Sequence, residues 1–316
     1  MRLQQLIYLE KIVEVGSINV AAKELFLTQP SLSKAIKELE EEMGIQILRR
    51  KQTGVSLTND GREFMAYAKQ VLDQVGLMEQ RYQDKVPRKQ AFSVSAQHYA
   101  FVVHAFVELI KSVNAQEFQF TLRETETENI IKDLANFKSE IGVLYLNRFN
   151  RRVMENFFED NHLEFTPLFN VTPHVFVSKD NPLTQKKAVK LTDLIDYPYL
   201  SYEQGDNNSF YFDEEIISNR HYKIKIKVSD RATIFNLMAG LNGYTISSGI
   251  ISGDLNDDKI VALPLEVNEI STIVWMKHKQ IELSPLAKKY LEFLKDHIRQ
   301  YNFKILSDEK QPKPKN

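Results

Sequence analysis

Residues 16–44 read GSINVAAKELFLTQPSLSKAIKELEEEMG, and their spacing decides the architecture of the first part of the chain. Ser17 is placed to cap a short helix that carries Val20, Ala21 and Leu25 on one face. Leu27 falls in a brief turn. Thr28 then caps a second helix, with Pro30 in its first turn, where a missing N–H leaves no bond unmade. Leu32, Ile36, Leu39 and Met43 follow at spacings of four, three and four, which predicts one buried face. The small Ala21 and Ala22 let the two helices cross closely. Two short helices joined by a tight turn make a helix-turn-helix, whose second helix enters the major groove of DNA by its N-terminal residues.

The opposite side of that second helix presents Gln29, Ser31, Ser33, Lys34 and Lys37. Glutamine pairs with adenine edges, serine reads either base type, and lysine reaches guanine or phosphate. Glu40, Glu41 and Glu42 come only at the far end, where the helix leaves the groove. Beyond it, IQILRRK at 45–51, a turn at Gln52–Gly54 and Val55–Thr58 predict a two-stranded wing with Arg49, Arg50 and Lys51 at its tip. Periodicity alone leaves an alternative open. Adjacent amphipathic helices are often only scaffolding, and a short basic run is often only a solvated face.

The run AAKELFLTQPSLSKAIKELEEEMGIQILRRKQTGVSLTNDGREF, residues 21–64, resembles the signature of LysR-type transcriptional regulators. The paired alanines, the TQPSLSKAI helix start and the LT–GR wing exit carry the likeness, which is specific over residues 1–64 and matches in layout to about residue 300. The resemblance implies an N-terminal all-α winged helix-turn-helix, a long dimerising linker helix, and an α/β two-lobed effector domain resembling periplasmic binding proteins. By motif position it places DNA contacts at Thr28, Gln29, Pro30, Ser33, Lys34 and Lys37, with Arg49, Arg50 and Thr53 in the wing. Ser17 and Ser31 are counted with them. Lys34 stands where the family often has arginine, which weakens the expectation of a bidentate guanine contact.

A single helical pattern runs from Asn59 to about Lys85 and ends before Pro87. Along it Phe64, Ala68, Val71, Val75, Met78 and Tyr82 alternate spacings of four and three, a 3.5-residue period and hence a coiled-coil seam. The alternative is that this stripe packs on its own domain. After Pro87 strands and helices alternate: strands at Phe92–Ala96, Phe118–Arg123 and Ile141–Tyr145, helices across Tyr99–Ser112 and Glu126–Phe137, and later strands near Val175–Ser178, Tyr199–Tyr202, Ile224–Val228, Tyr244–Ser247 and Ile270–Met276. That alternation predicts α/β architecture with mainly parallel sheets. The expected division is 1–58 for the DNA-binding domain, 59–88 for the linker and 89–302 for the effector domain. Its first lobe is 89–163 plus 268–302 and its second 164–267, and 303–316 form a polar tail.

Ligands in such folds sit at the carboxyl ends of strands, near helix N-termini. The first strand leads into Ser95, Gln97 and His98, and the second into Thr125 and Thr127. In the other lobe Ser201 and Tyr202 end a strand, and Arg231 opens a helix as a candidate carboxylate clamp. Each serine or threonine alone reads more readily as a helix cap than as a ligand, and Arg231 equally well as a structural ion pair. SAQHY at 95–99, YEQGDNNSFYF at 202–212 and VSDRATIFNLMAGLNGYTI at 228–246 look similar to Gram-positive regulators of cysteine and methionine metabolism. That likeness implies a small sulfur-pathway effector such as O-acetylserine.

The 316 residues correspond to about two domains. Lys plus Arg number 41 against 42 Asp plus Glu, so any basic surface must be local. There is no cysteine, which excludes disulfides, thiolate metal sites and a cysteine nucleophile. The sequence shows no GxSxG, Walker or GxGxxG motif, and the seven histidines show no HExxH. No catalytic residue, cofactor or metal is expected. The N-terminus meets Glu10 before an apolar core develops, and the charge-free window 232–253 is too polar for a bilayer, so a cytoplasmic protein without a membrane partner is expected. The expected partners are promoter DNA, a small effector, further copies in a dimer or tetramer, and RNA polymerase. The competing class is a two-lobed small-molecule-binding protein or enzyme without sequence-specific DNA binding.

Overall fold

The computed structural model describes residues 1–51, 54–83, 90–114, 117–205, 209–217, 222–251 and 259–306. Two compact units emerge, Met1–Arg88 and Lys89–Asn316.

The first unit opens with α1 (Leu3–Val15), α2 (Ile18–Glu24) and α3 (Gln29–Met43). Ser17 and Thr28 cap α2 and α3, accepting hydrogen bonds from the backbone N–H of Val20 and Ser31 at 3.4 Å. Leu32, Ile36 and Leu39 of α3 are buried against Leu6, Leu9 and Ile12 of α1 and the two alanines of α2. Val20, expected on the inner face of α2, is 44% exposed. In so short a helix, Ile18, Ala21, Ala22 and Leu25 already complete the packed stripe. The wing is an antiparallel pair, β1 (Leu48–Lys51) and β2 (Gly54–Leu57). Gly54 has φ +131°, and a Cβ there would stand 2.5 Å from the Gly16 carbonyl oxygen, so only glycine fits where the wing meets the α1–α2 turn. Thr58 accepts from the N–H of Gly61 and starts α4 (Asn59–Gln83).

The stripe along α4 divides in two. Ala68 is buried and Phe64 half-buried in the core of this unit, whereas Val71, Met78 and Tyr82 are 44%, 56% and 63% exposed. Its first turns therefore pack on the chain's own domain, which corrects the reading of one continuous external seam. The heptad period cannot distinguish a partner helix from α1.

The second unit holds two five-stranded sheets. In sequence order lobe one contains β3 (Gln90–Ala96), α5 (Ala100–Lys111), β4 (Phe118–Glu124), α6 (Thr127–Ala135), β5 (Ile141–Asn147), α7 (Arg151–Asp160) and β6 (Leu163–Val171). Lobe two follows with β7 (His174–Ser178), β8 (Tyr199–Tyr202), β9 (Lys225–Val228), α8 (Arg231–Leu241), β10 (Tyr244–Ser247) and β11 (Ile260–Pro264). The chain then returns to lobe one as β12 (Ser271–His278) and α9 (Pro285–Gln300). The strand orders are β4-β3-β5-β12-β6 and β11-β7-β10-β8-β9.

The sheets are mixed, not mainly parallel. β3 pairs in parallel with β4 and β5, and β8 with β9 and β10, but β12 runs antiparallel to β5 and β6, and β7 to β10 and β11. The antiparallel pairs involve strands that enter or leave by the two inter-lobe crossings, where no crossover helix restores the direction. β6 belongs to the first sheet, so the chain crosses after Val171 and not at residue 164. Pro167 obscured this strand, because proline argues against a central one. β6 lies at the sheet edge, and the register with β12 slips beside Pro167.

Candidate functional site

The outer face of α3 is polar and laid over an apolar core. Lys34 and Lys37 are exposed, each beside an acid one turn on: Glu38 at 3.9 Å and Glu41 at 3.4 Å. Exposed pairs of this kind hold weakly and release their lysines readily. Gln29 Nε2 donates to Ser33 Oγ at 2.7 Å, and the hydroxyls of Thr28 and Ser31 lie 2.8 Å apart. Pro30 and Ser31 are exposed in the first turn of α3, and Ser17 is half-buried and engaged as a helix cap. A groove between α3 and the wing is lined by Ser33, Lys34, Lys37, Gln46 and the exposed Arg49. Thr53 and the side chain of Arg50 lie outside the described residues.

Glu40 is the residue of this surface that sequence reasoning misplaced. Its Oε1 accepts from the backbone N–H of both Ile47, at 2.7 Å, and Leu48, at 2.9 Å, fastening the start of the wing to α3. The sequence places it with Glu41 and Glu42 at the far end of the helix, where the helix leaves the groove, and gives no sign of this fastening. Phe26, 96% exposed with φ +54°, was also missed.

In the second unit a space between the lobes is lined by His98, Tyr99, Tyr202, Glu214, Glu215, Arg231, Thr245 and Ser248 among apolar neighbours Phe176, Phe235 and Ile250. Its volume is ≈20 Å³, about enough for one water molecule. Of the expected ligand residues, His98, Tyr202 and Arg231 line it. The His98 ring lies flat on Tyr202, centroids 3.8 Å apart and planes 3° from parallel. His98 N–H donates to Glu214 Oε1 at 2.5 Å, and its Nδ1 is 2.7 Å from Oε2. Burial opposes a charge on His98, but the Glu214 carboxylate outweighs it and holds the imidazole pKa above its usual value.

Four of the other expected residues, Ser95, Gln97, Thr125 and Thr127, have structural partners. Ser95 is fully buried and donates to Asp133 at 2.7 Å beside Ser139, inside lobe one and away from the cleft lining. Its position next to the strand end hid this, because alternate side chains of a strand point to opposite faces. Gln97 is a strut: Oε1 accepts from Tyr145 N–H and Tyr99 O–H, and Nε2 donates to Thr127 Oγ1. Thr127 N–H donates to Gln204 Oε1 at 3.0 Å. Thr125 is half-buried, and its N–H donates to Ala96 O. The Ser201 hydroxyl is buried without a hydrogen-bond partner among the described residues. Arg231 Nη2 stands 3.3 Å from Glu124 Oε1.

Glu124, Gln204, Glu214, Glu215 and Thr245 were not singled out from the sequence. The available signal was FYFDEEII at 210–217, acids set inside an apolar run. Glu215 is 2% exposed and its Oε1 accepts from Tyr202 N–H at 2.6 Å. Burial, reinforced by the neighbouring Glu214 carboxylate, pushes its carboxyl up to about 8.

The family model described as bacterial regulatory helix-turn-helix protein, lysR family, matches residues 3–62, and that of the LysR substrate binding domain matches residues 99–299. The chain belongs to the LysR family. LysR-family chains are DNA-binding transcriptional regulators with an effector-binding domain, and the N-terminal helix-turn-helix and two-lobed second unit are those two parts. The protein is a regulator and not an enzyme. Curated relatives include the uncharacterized HTH-type transcriptional regulator YbhD of Escherichia coli K12, 22% identical, covering 90% of this chain and 87% of that one. Another is the uncharacterized HTH-type regulator YnfL of the same strain, 25% identical with coverage of 94% and 99%. Among solved structures, full-length BenM is similar at 22% identity and TM-score 0.46, covering 96% and 99%. No helix among the described residues is long and apolar enough to cross a membrane.

Proposed function

We propose that this LysR-family regulator binds promoter DNA as a homodimer or tetramer in the cytoplasm and changes its DNA-bound arrangement when a small metabolite enters the cleft between the lobes. The observation that carries the DNA reading is the polarity of α3. Leu32, Ile36 and Leu39 are buried, while Gln29, Ser31, Ser33, Lys34 and Lys37 face away from that core. These five side chains, with Thr28, Pro30 and Ser17 at the helix starts and Arg49, Arg50 and Thr53 in the wing, are the proposed DNA contacts. One such helix reads too few base pairs for operator specificity, so two copies reading separated half-sites are required. The exposed Val71, Met78 and Tyr82 with half-buried Val75 are the proposed dimer face.

The proposed effector is a small amino-acid-like metabolite, with O-acetylserine and other sulfur-pathway intermediates as first candidates. Groups of both signs support a zwitterion: Arg231 and His98 for a carboxylate, and Glu214 for an ammonium. The effector shifts the assembly only as far as it binds one arrangement better than the other. Contact with RNA polymerase follows on this reading from the altered DNA arrangement.

The test is a thermal-shift screen of the full chain against O-acetylserine, cysteine, homocysteine, methionine and unrelated amino acids. A ligand at a hundred times its Kd adds about 2.7 kcal/mol, which raises the melting temperature by several degrees. A selective rise that also alters an operator footprint supports the reading. Silence from every amino-acid-like compound removes this effector class and leaves the DNA-binding function standing.

A further inference from the structure

The donors that lobe one turns toward the cleft are already occupied by the protein's own chain. After β8, residues 203–205 and 209–217 reach across to lobe one. Gln204 takes the Thr127 N–H at the start of α6. Phe210 and Tyr211 lie 5.0 and 5.1 Å from Phe149, and Phe212 sits edge-on to Phe157 within the apolar cluster of α6 and α7. Tyr145 O–H donates to the carbonyl oxygens of Asp213 and Glu215, at 2.9 and 3.2 Å. Glu215 then turns back to the Tyr202 N–H of lobe two. The segment is a strap stitched to both lobes.

Glu214 is the point of the strap. Its side chain is 5% exposed, and its two oxygens engage the N–H and Nδ1 of His98, between the end of β3 and the start of α5. In open-faced α/β lobes that is where a bound anion sits. Arg231 lines the same space as a second cation. So does Thr245, 5% exposed, whose Oγ1 has no hydrogen-bond partner among the described residues. The space left, ≈20 Å³, does not admit a second carboxylate while Glu214 is in place.

We propose that Glu214 is a tethered stand-in for a carboxylate ligand: it fills the anion position on His98, holds the two lobes together through the strap, and is displaced by a small carboxylate-bearing effector. The inference rests on the reading of the cleft as the effector site and specifies its regulation. A tethered carboxylate competes at a high effective concentration, so an effector binds more weakly than its contacts alone allow.

The experiment is chemical rescue in the full-length protein. Glu214→Ala removes a CH2–COO− fragment and leaves room for acetate. Melting temperature is measured with sodium acetate against sodium chloride at equal ionic strength. The expected result is a saturable rise of ~3–5 °C in Glu214→Ala and less than about 1 °C in the wild type. No rise, or an equal rise in both, overturns the proposal. If Glu214→Ala shows no cooperative transition, Glu214→Ser, which opens nearly the same space, is judged by the same difference from wild type. An operator footprint of the same variant with and without acetate separates the two readings. Rescue of melting with an unchanged footprint supports the tethered anion and counts against effector control of DNA. A footprint that changes in Glu214→Ala without any acetate response keeps the cleft reading and sinks this one.

Discussion

Arg231 at the start of α8 in lobe two stands 3.3 Å from Glu124 at the end of β4 in lobe one, so the residue suited to clamp a ligand carboxylate already faces a carboxylate of the opposite lobe. Burial raises the Glu124 carboxyl pKa, and Arg231 opposes that rise. The pair therefore has two physical uses, as a latch between lobes and as a cation available to an incoming acid. Arg231→Ala is expected to abolish the effector response of an operator footprint while DNA affinity without effector stays within about twofold. Glu124→Gln, which frees Arg231, is expected to keep the response. An unaltered response in Arg231→Ala makes Arg231 purely structural.

Glu215 makes stability pH-dependent in a definite direction. Burial holds its carboxyl up at about 8 in the folded protein, against an ordinary value of 4.5. Between those values the folded chain keeps a proton that the unfolded chain has lost, so stability falls as pH rises through that window. Glu215→Gln cannot ionise and keeps an acceptor for Tyr202 N–H. It should match the wild type near pH 4.5 and exceed it by roughly 2–4 kcal/mol near pH 8.5. Thermal melts at both pH values check this, and parallel losses in the two proteins would refute it.

Glu40 should matter to the DNA-binding unit without touching DNA. Removing its two bonds to the Ile47 and Leu48 N–H groups by Glu40→Ala is expected to cost about 2 kcal/mol. Glu40→Gln, which retains one acceptor oxygen, should cost less than half as much. Urea unfolding followed by helix content measures both.

Base readers and phosphate contacts should separate by their salt dependence. Gln29→Ala and Ser33→Ala are expected to relax sequence preference, because their side chains stand at the start of α3. Arg49→Ala is expected to weaken binding to all sequences alike and to reduce the salt slope by about one. Titrations on operator and random DNA at several salt concentrations distinguish them. If Gln29→Ala changes neither affinity nor the operator-to-random ratio, α3 is not the reading helix.

Met78→Asp together with Val71→Asp places charge on the exposed stripe of α4. The double variant should move the protein to a smaller species by sedimentation at micromolar concentration. Ala68→Asp should instead unfold the first unit, since Ala68 is buried there.

What the sequence determined by itself is the part of the molecule where function and local structure share one period. In residues 16–44 the caps Ser17 and Thr28, the buried Leu32, Ile36 and Leu39 and the outward Gln29, Ser33 and Lys34 all follow from spacings of three and four within one short segment. The strands at Tyr199–Tyr202 and Tyr244–Ser247 were legible for the same reason, as short apolar runs bounded by turns. Tertiary structure decided what depends on distant residues meeting. It paired β12 antiparallel with β6 and turned Ser95 inward to Asp133. It set Arg231 against Glu124, 107 positions away in sequence, and Glu214 against His98, 116 positions away. Local periodicity records which side of an element is buried, whereas the partner it is buried against is chosen by packing and charge across the whole fold.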